Sequence, residues 1–140
     1  MKPYLLSAKQ LIDKVKKSEL SSVDVANSFI ERIEEFEKDV RAWAFFDKTS
    51  FLEKAKEADD WRLSGKPLGP LHGLPIAIKD IFKTEDMPTG YGTPIKEGQR
   101  SKNESEVVRL LKNAGAIIMG KTVTTELAYF DPGKTTKPHD

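Results

Sequence analysis

Two short apolar runs, separated by an amphipathic segment, constrain most strongly what this chain can fold into. The runs are PIAI at Pro75–Ile78 and AIIM at Ala116–Met119. Each is apolar on successive residues and does not alternate, which is typical of a strand covered on both faces. Between them, SEVVRLLKNAG at Ser105–Gly115 has the spacing of a helix with one buried face. The sequence therefore predicts a strand, a helix and a second strand in this order.

The connecting helix fixes the relation between the two strands. Its predicted buried residues are Val107, Val108, Leu110 and Leu111, and Gly115 is placed to end it. Two strands joined by a crossover helix lie parallel in one sheet, and helices cover that sheet. The fold class predicted from the pattern is α/β.

Helices dominate the prediction for residues 1–65. Polar caps open three of them, at Ser7, Ser21 and Asp47. The segment VRAWAFF, at Val40–Phe46, is strand-like or a buried connector, and the acidic pair Asp59-Asp60 is assigned to the surface. The strand-helix-strand segment follows at residues 66–140, within a single domain that spans 1–140.

Composition excludes several classes of function. The chain has 140 residues, a formal net charge of +1, no cysteine and two histidines. These numbers argue against disulfides, thiolate nucleophiles, a histidine-rich metal site and electrostatic binding of nucleic acid or membrane. The N-terminus has no signal-peptide core and no stretch approaches a membrane span, so we expect a cytoplasmic protein without cofactor or metal.

One phosphate-binding pattern occurs in the chain, in the wrong context. GAIIMGKT at Gly115–Thr122 matches G-x-x-x-x-G-K-S/T literally. That loop must follow a strand and precede a helix, whereas here the residues between the glycines are the predicted strand and a helix comes first. A nucleotide-binding protein is therefore the least favoured of three functional hypotheses.

Lys79 follows the first apolar run and admits two interpretations. A lysine at a strand end usually extends its ammonium into water, and Asp80 could pair with it. Alternatively, the apolar neighbours Ile78 and Phe82 predict an interior position at a strand C-terminus, where sites collect. A partly desolvated lysine without a carboxylate partner could act as a base at neutral pH.

Two blocks of the sequence resemble one enzyme family. GPLHGLPIAIKD at Gly69–Asp80 is similar to the segment around the catalytic lysine of the amidase signature family. VVRLLKNAGAIIMGKTVTTELAYF at Val107–Phe130 resembles the next block of that family, and the likeness extends over roughly residues 20–140. The departures are Val123, where the family usually has asparagine, and Leu127, where it has phenylalanine.

The resemblance implies a fold, an activity and candidate site residues. It implies the N-terminal portion of an α/β/α sandwich around a mixed sheet, in enzymes that cleave amides with a Ser–Ser–Lys triad and no cofactor. Lys79 would be the lysine of this triad. It would lie in the protein interior, so that its amine is neutral enough to accept a proton. Tyr91, in the glycine turn TGYGTP, would line the substrate entrance.

The resemblance also implies that part of the catalytic machinery is missing. The family's two serines lie in a Gly/Ser-rich stretch, and this chain contains none. His139 and Asp140 belong to a polar tail and offer no substitute, and His72 is assigned a structural or loop-lining role. We therefore expect a partial amidase domain that acts on a small-molecule amide only together with the missing part, and is inactive alone.

The alternative class is a non-catalytic fragment or interaction module of the same fold. In either case the chain could self-associate or dock with its missing C-terminal part. The continuation TTELAYFDPGKTTKPHD at Thr124–Asp140 favours a small-molecule amidase over the amidotransferase branch of the family.

Overall fold

The computed structural model describes residues 2–137, so His139 and Asp140 lie outside the described residues. Its longer elements are α1 (Ala8–Lys16), α2 (Ser22–Val40), β1 (Trp43–Phe46), α3 (Lys48–Leu63), β2 (Pro75–Lys79), α4 (Glu106–Asn113) and β3 (Ile117–Thr122). Short 3-10 helices occur at Pro3–Leu5, Pro94–Lys96 and Glu126–Ala128.

The strands form a mixed sheet in the order β1-β3-β2. β2 and β3 are parallel, with Pro75 opposite Ile117 and Lys79 opposite Thr122, and α4 is the crossover between them. β1 is antiparallel to β3. The predicted parallel strand pair, its crossover helix and the α/β fold class are confirmed.

The predicted caps open the first three helices. Ser7 and Ser21 form reciprocal capping boxes at α1 and α2, and the Asp47 side chain accepts a hydrogen bond from Ser50 N at α3. Each cap provides an acceptor for an N–H that would have no partner within the helix.

One acidic residue assigned to the surface is buried. The side chain of Asp59 in α3 accepts hydrogen bonds from Ser22 N at 2.8 Å and Val23 N at 3.1 Å. The surface assignment was wrong for Asp59 because this carboxylate caps the N-terminus of a different helix, α2. A spacing rule within one helix cannot detect such a contact.

The core lies on both faces of the central strand β3. On one face, α2 and α3 pack against Ile117 and Met119. On the other face, Ile118 contacts Val108 of α4 and Ile78 of β2. The sheet thus lies between helical layers, and β3 is buried as its apolar sequence predicts.

Some residues of β2 and α4 are not covered by other helices or strands. Val107 and Leu110 are 41% and 55% exposed, so the prediction that they are buried is wrong for the described residues. Ala77 is also exposed, and β2 has β3 as its sole strand neighbour among these residues. The physical reason is that no described element covers these exposed residues of β2 and of α4. No helix within residues 2–137 is long and apolar enough to cross a membrane.

Candidate active site

Lys79 is the last residue of β2, at the carboxyl end of the parallel strand pair. The chain turns there, since Ile81 N and Phe82 N donate to Lys79 O at 2.8 and 3.1 Å. The Lys79 side chain is exposed, and among the described residues it has no hydrogen-bond or ion-pair partner. Its expected interior position is therefore wrong here, because Lys79 faces the uncovered side of the sheet with Ala77. Its catalytic role stays a prediction.

The buried lysine of this region is Lys121 in β3, whose side chain is 0% exposed. Its ammonium donates to Asp80 Oδ1 at 2.9 Å, to Thr89 Oγ1 at 2.8 Å and to Pro88 O at 3.0 Å. Asp80, which the sequence suggested as a partner of Lys79, therefore pairs with Lys121. Burial lowers the pKa of Lys121, and the hydrogen bond and charge of Asp80 act in the opposite direction.

The same contacts explain why the phosphate-binding pattern is misleading. Gly120, Lys121 and Thr122 lie inside strand β3, and helix α4 precedes Gly115. The three donors of the Lys121 ammonium are directed to acceptors of the protein itself. The backbone context required for a phosphate-binding loop is therefore not present at this pattern.

Asp80 links the strand end to the glycine turn. Its Oδ2 accepts from Gly90 N at 3.1 Å, its backbone O accepts from Tyr91 N at 3.1 Å, and its backbone N donates to Thr122 O at 3.0 Å. A methyl group on Gly92 (φ +67°) would lie 2.8 Å from Thr124 O, so this position requires glycine.

Tyr91 is half-buried in this turn. Its ring lies 5.6 Å from Lys96 Nζ, and its carbonyl accepts from Leu127 N at 2.8 Å. Through its contacts with Asp80, the turn lies beside the carboxyl end of β2. The contact of Tyr91 with a substrate stays a prediction.

A cleft of about 410 Å³ adjoins this network. Asp80, Gly90, Gly92 and Thr124 are among its lining residues, whereas Lys79 and Tyr91 are not among the described residues that line it. Its volume is in the range of small-molecule sites, and it lies where parallel strands end.

A second cleft, of about 580 Å³, lies at the opposite end of the strands. It is lined by the start of β3 at Ile117 and by His72, a buried residue whose pKa is lowered by desolvation. A methyl group on Gly115 would lie 2.9 Å from the Cα of His72, so this turn is tightly packed, in agreement with the structural role expected for His72. Within residues 2–137, no group of three or more histidine or acidic side chains is placed to hold a metal ion.

The fold and the strand-end lysine define a class of protein, an α/β protein with its candidate site at the carboxyl ends of parallel strands. Residues 24–136 match the sequence profile of the family described as Amidase. The chain belongs to the amidase family.

Two solved structures and one curated protein show the extent of this similarity. The native peptide amidase from Stenotrophomonas maltophilia superposes with a TM-score of 0.82 at 30% identity, over 92% of this chain and 27% of that one. A chain from a vestigial complex linked to the origins of an s-triazine catabolic enzyme gives 0.87 at 26% identity, over 96% and 31%. One subunit of the glutamyl-tRNA(Gln) amidotransferase of Salinispora tropica is 36% identical over 96% of this chain. This chain spans 28% of that relative's length.

Proposed function

We propose that this chain is the lysine-bearing part of an enzyme that hydrolyses a carbon–nitrogen amide bond. The supporting observation is that Lys79 ends β2 at the carboxyl end of the parallel strand pair. Its amine has no hydrogen-bond or ion-pair partner among the described residues. Family membership supports the reaction class, and a lysine that can exchange protons there is what a Ser–Ser–Lys mechanism requires.

In the proposed reaction Lys79 is the base. Its amine accepts a proton from the bridging serine, which takes one from the nucleophilic serine as that oxygen attacks the amide carbonyl. The proton then returns through the bridging serine to the departing nitrogen, and the C–N bond breaks. Water hydrolyses the resulting acyl ester by the same proton route. Both serines would come from the serine-rich segment that this chain does not contain.

The experiment requires a protein with both serines, referred to below as the completed enzyme. It consists of residues 1–140 followed by the serine-bearing remainder of an amidase of the family. In single-turnover acylation with aryl and alkyl amides, Lys79→Ala should reduce the rate by on the order of a thousandfold. Lys79→Arg should be almost as slow, because a guanidinium does not release its proton to become a base.

Two controls make this experiment decisive. Lys83→Ala, a change in the nearby exposed segment, should remain within a few-fold of the parent rate. The 140-residue chain alone should hydrolyse none of the amides because it lacks the serines. Near-full activity of Lys79→Arg, or turnover by the chain alone that Lys79→Ala abolishes, would overturn the proposal.

The proposed substrate is a small-molecule amide, and the second candidate function is that of an amidotransferase component. The Salinispora relative, whose name describes an amidotransferase, favours the second candidate. A net charge of +1 favours the first, since tRNA binding depends on many cationic contacts and falls steeply with salt. Titration of the completed enzyme with glutamyl-tRNA at low and high salt separates the two. The expected cytoplasmic location stays a prediction.

A further inference from the structure

Lys121 is a buried cation whose contacts converge on one short stretch of the chain. Removing an ammonium from water is costly unless its hydrogen bonds are replaced. Asp80, Thr89 and Pro88 replace them, and these residues belong to the segment that follows β2. The cation thus connects the interior of β3 to the chain immediately beyond Lys79.

Asp80 is restrained on every side by this arrangement. One carboxylate oxygen accepts from Lys121 and the other from the Gly90 amide. Its backbone N–H and carbonyl are bonded to Thr122 and to Tyr91. The residue next to Lys79 therefore has little freedom to move, whereas the Lys79 side chain has no such restraint from the described residues.

We propose that Lys121 is a positioning residue of the amidase site. Through Asp80, Lys121 fixes the position of the Lys79 backbone and the position of the neighbouring Pro88–Tyr91 turn. The inference rests on the proposed function for the role of Lys79, and it adds a second lysine that touches no substrate. A base must be held to within a fraction of an ångström, and small displacements lower the rate strongly.

The first test uses the 140-residue chain and does not depend on catalysis. Lys121→Met removes the charge and retains most of the volume. It should make backbone amide exchange about tenfold faster at Gly90 and Tyr91 and leave the amides of α2 unchanged. Lys54→Met is the matched control, because Lys54 pairs with Asp86 and the Ile118 carbonyl and lines the cleft at the opposite end of the strands. Equal exchange at Gly90 in the parent and in Lys121→Met would overturn the inference.

The second test uses the completed enzyme and separates positioning from stability. Lys121→Met should lower kcat about a hundredfold and change KM little. The double variant Asp80→Asn/Lys121→Met removes both charges, so it should regain stability because no uncompensated charge stays buried. Its kcat should remain low, which a purely stabilising pair would not produce. If Lys121→Met does not fold, the double variant carries the same test.

The outcomes distinguish this inference from the proposed function. If Lys79→Ala abolishes activity while the folded double variant retains full kcat, Lys121 is not a positioning residue and the proposed function stands. If Lys79→Ala is harmless, the proposed function fails, and the exchange data still decide whether Lys121 orders the turn. If Lys79→Ala and the double variant both lose kcat, and if amide exchange at Gly90 is fast in Lys121→Met, the results support the inference and the proposed function together.

Discussion

Lys79 and Lys121 lie at corresponding ends of neighbouring strands and have opposite environments. Ile78 is opposite Lys121 in the parallel register, and Lys79 is opposite Thr122. Side chains alternate between the two faces of a strand, so a shift of one position along the strand moves a lysine from the buried face to the exposed face. Lys121 enters the covered side, where Asp80 compensates its charge, and Lys79 extends from the uncovered side. The proposed catalytic base and a buried, paired lysine are therefore adjacent in one sheet.

The buried position of Lys121 predicts a pH dependence of stability. Its pKa is lowered by burial, so the folded state releases this proton more readily than the unfolded state does. The free energy of unfolding should therefore rise with pH between the lowered pKa and the ordinary value of 10.5. Urea titrations of the parent and of Lys121→Met across this window measure the effect as the difference between the two curves. A difference that stays flat or falls with rising pH contradicts the prediction.

Sequence reasoning singled out Lys79 as the candidate base and did not predict that Lys121 is buried, for identifiable reasons. The segment around Lys79 is distinctive in the family resemblance, so the residue stands out without a structure. Lys121 depends on Pro88 and Thr89, more than thirty residues away in sequence, and no local pattern reveals such partners. Asp80 follows Lys79 directly, and this adjacency suggested a pairing that the alternation of a strand does not allow.

Helices α3 and α4 are joined by one carboxylate. Asp86, in the segment between β2 and α4, forms an ion pair with Lys54 of α3 and lies 3.6 Å from Lys112 of α4. Burial alone would raise the pKa of Asp86, but the two lysines outweigh it and the pKa is lowered. The helices lie on opposite faces of the sheet, so this contact ties the two helical layers together.

Asp86→Asn should lower the free energy of unfolding at neutral pH, because it removes this ion pair. The loss should be only about 1 kcal/mol, since the pair is partly exposed and water screens it. A lowered folded pKa contributes stability above the ordinary value of 3.8, and this contribution is lost as the pH falls through the folded pKa. The parent and Asp86→Asn should therefore differ in urea midpoint at pH 7 and converge in strong acid. Asp60→Asn, which removes an exposed pair within α3, is the control and should change little. Equal stability of parent and Asp86→Asn at pH 7 would show that the link contributes nothing.

Sequence patterns predicted the helices and strands better than they predicted which residues of these elements are buried. The strand-helix-strand unit follows from local periodicity, and the structure confirms it. The burial of Val107, Leu110 and Ala77 required knowledge of what lies outside these elements. An amphipathic pattern records the face that a helix prefers to bury, and does not identify the partner that buries it.

The molecule as a whole combines a complete core with uncovered surfaces on β2 and on α4. β3 is covered by helices on both faces, whereas β2 has a strand on one edge and exposed residues on one face. Val107 and Leu110 expose apolar surface on α4, the helix that connects these strands. Unpaired strand edges and apolar patches of this kind favour association with another chain or with a further part of the same protein.

We therefore expect the 140-residue chain to self-associate through these exposed surfaces, including the apolar surface of α4. Sedimentation velocity should show concentration-dependent oligomers, and a dye that reports apolar surface should bind. Val107→Lys/Leu110→Lys should shift the protein toward monomer and reduce dye binding, because the charges remain hydrated only when this face is open. Ile95→Lys is the matched control, since Ile95 is exposed in a separate short 3-10 helix. A parent chain that is a dye-silent monomer at high concentration would contradict the prediction. It would also favour an independent domain over one that requires the remainder of an amidase to cover it.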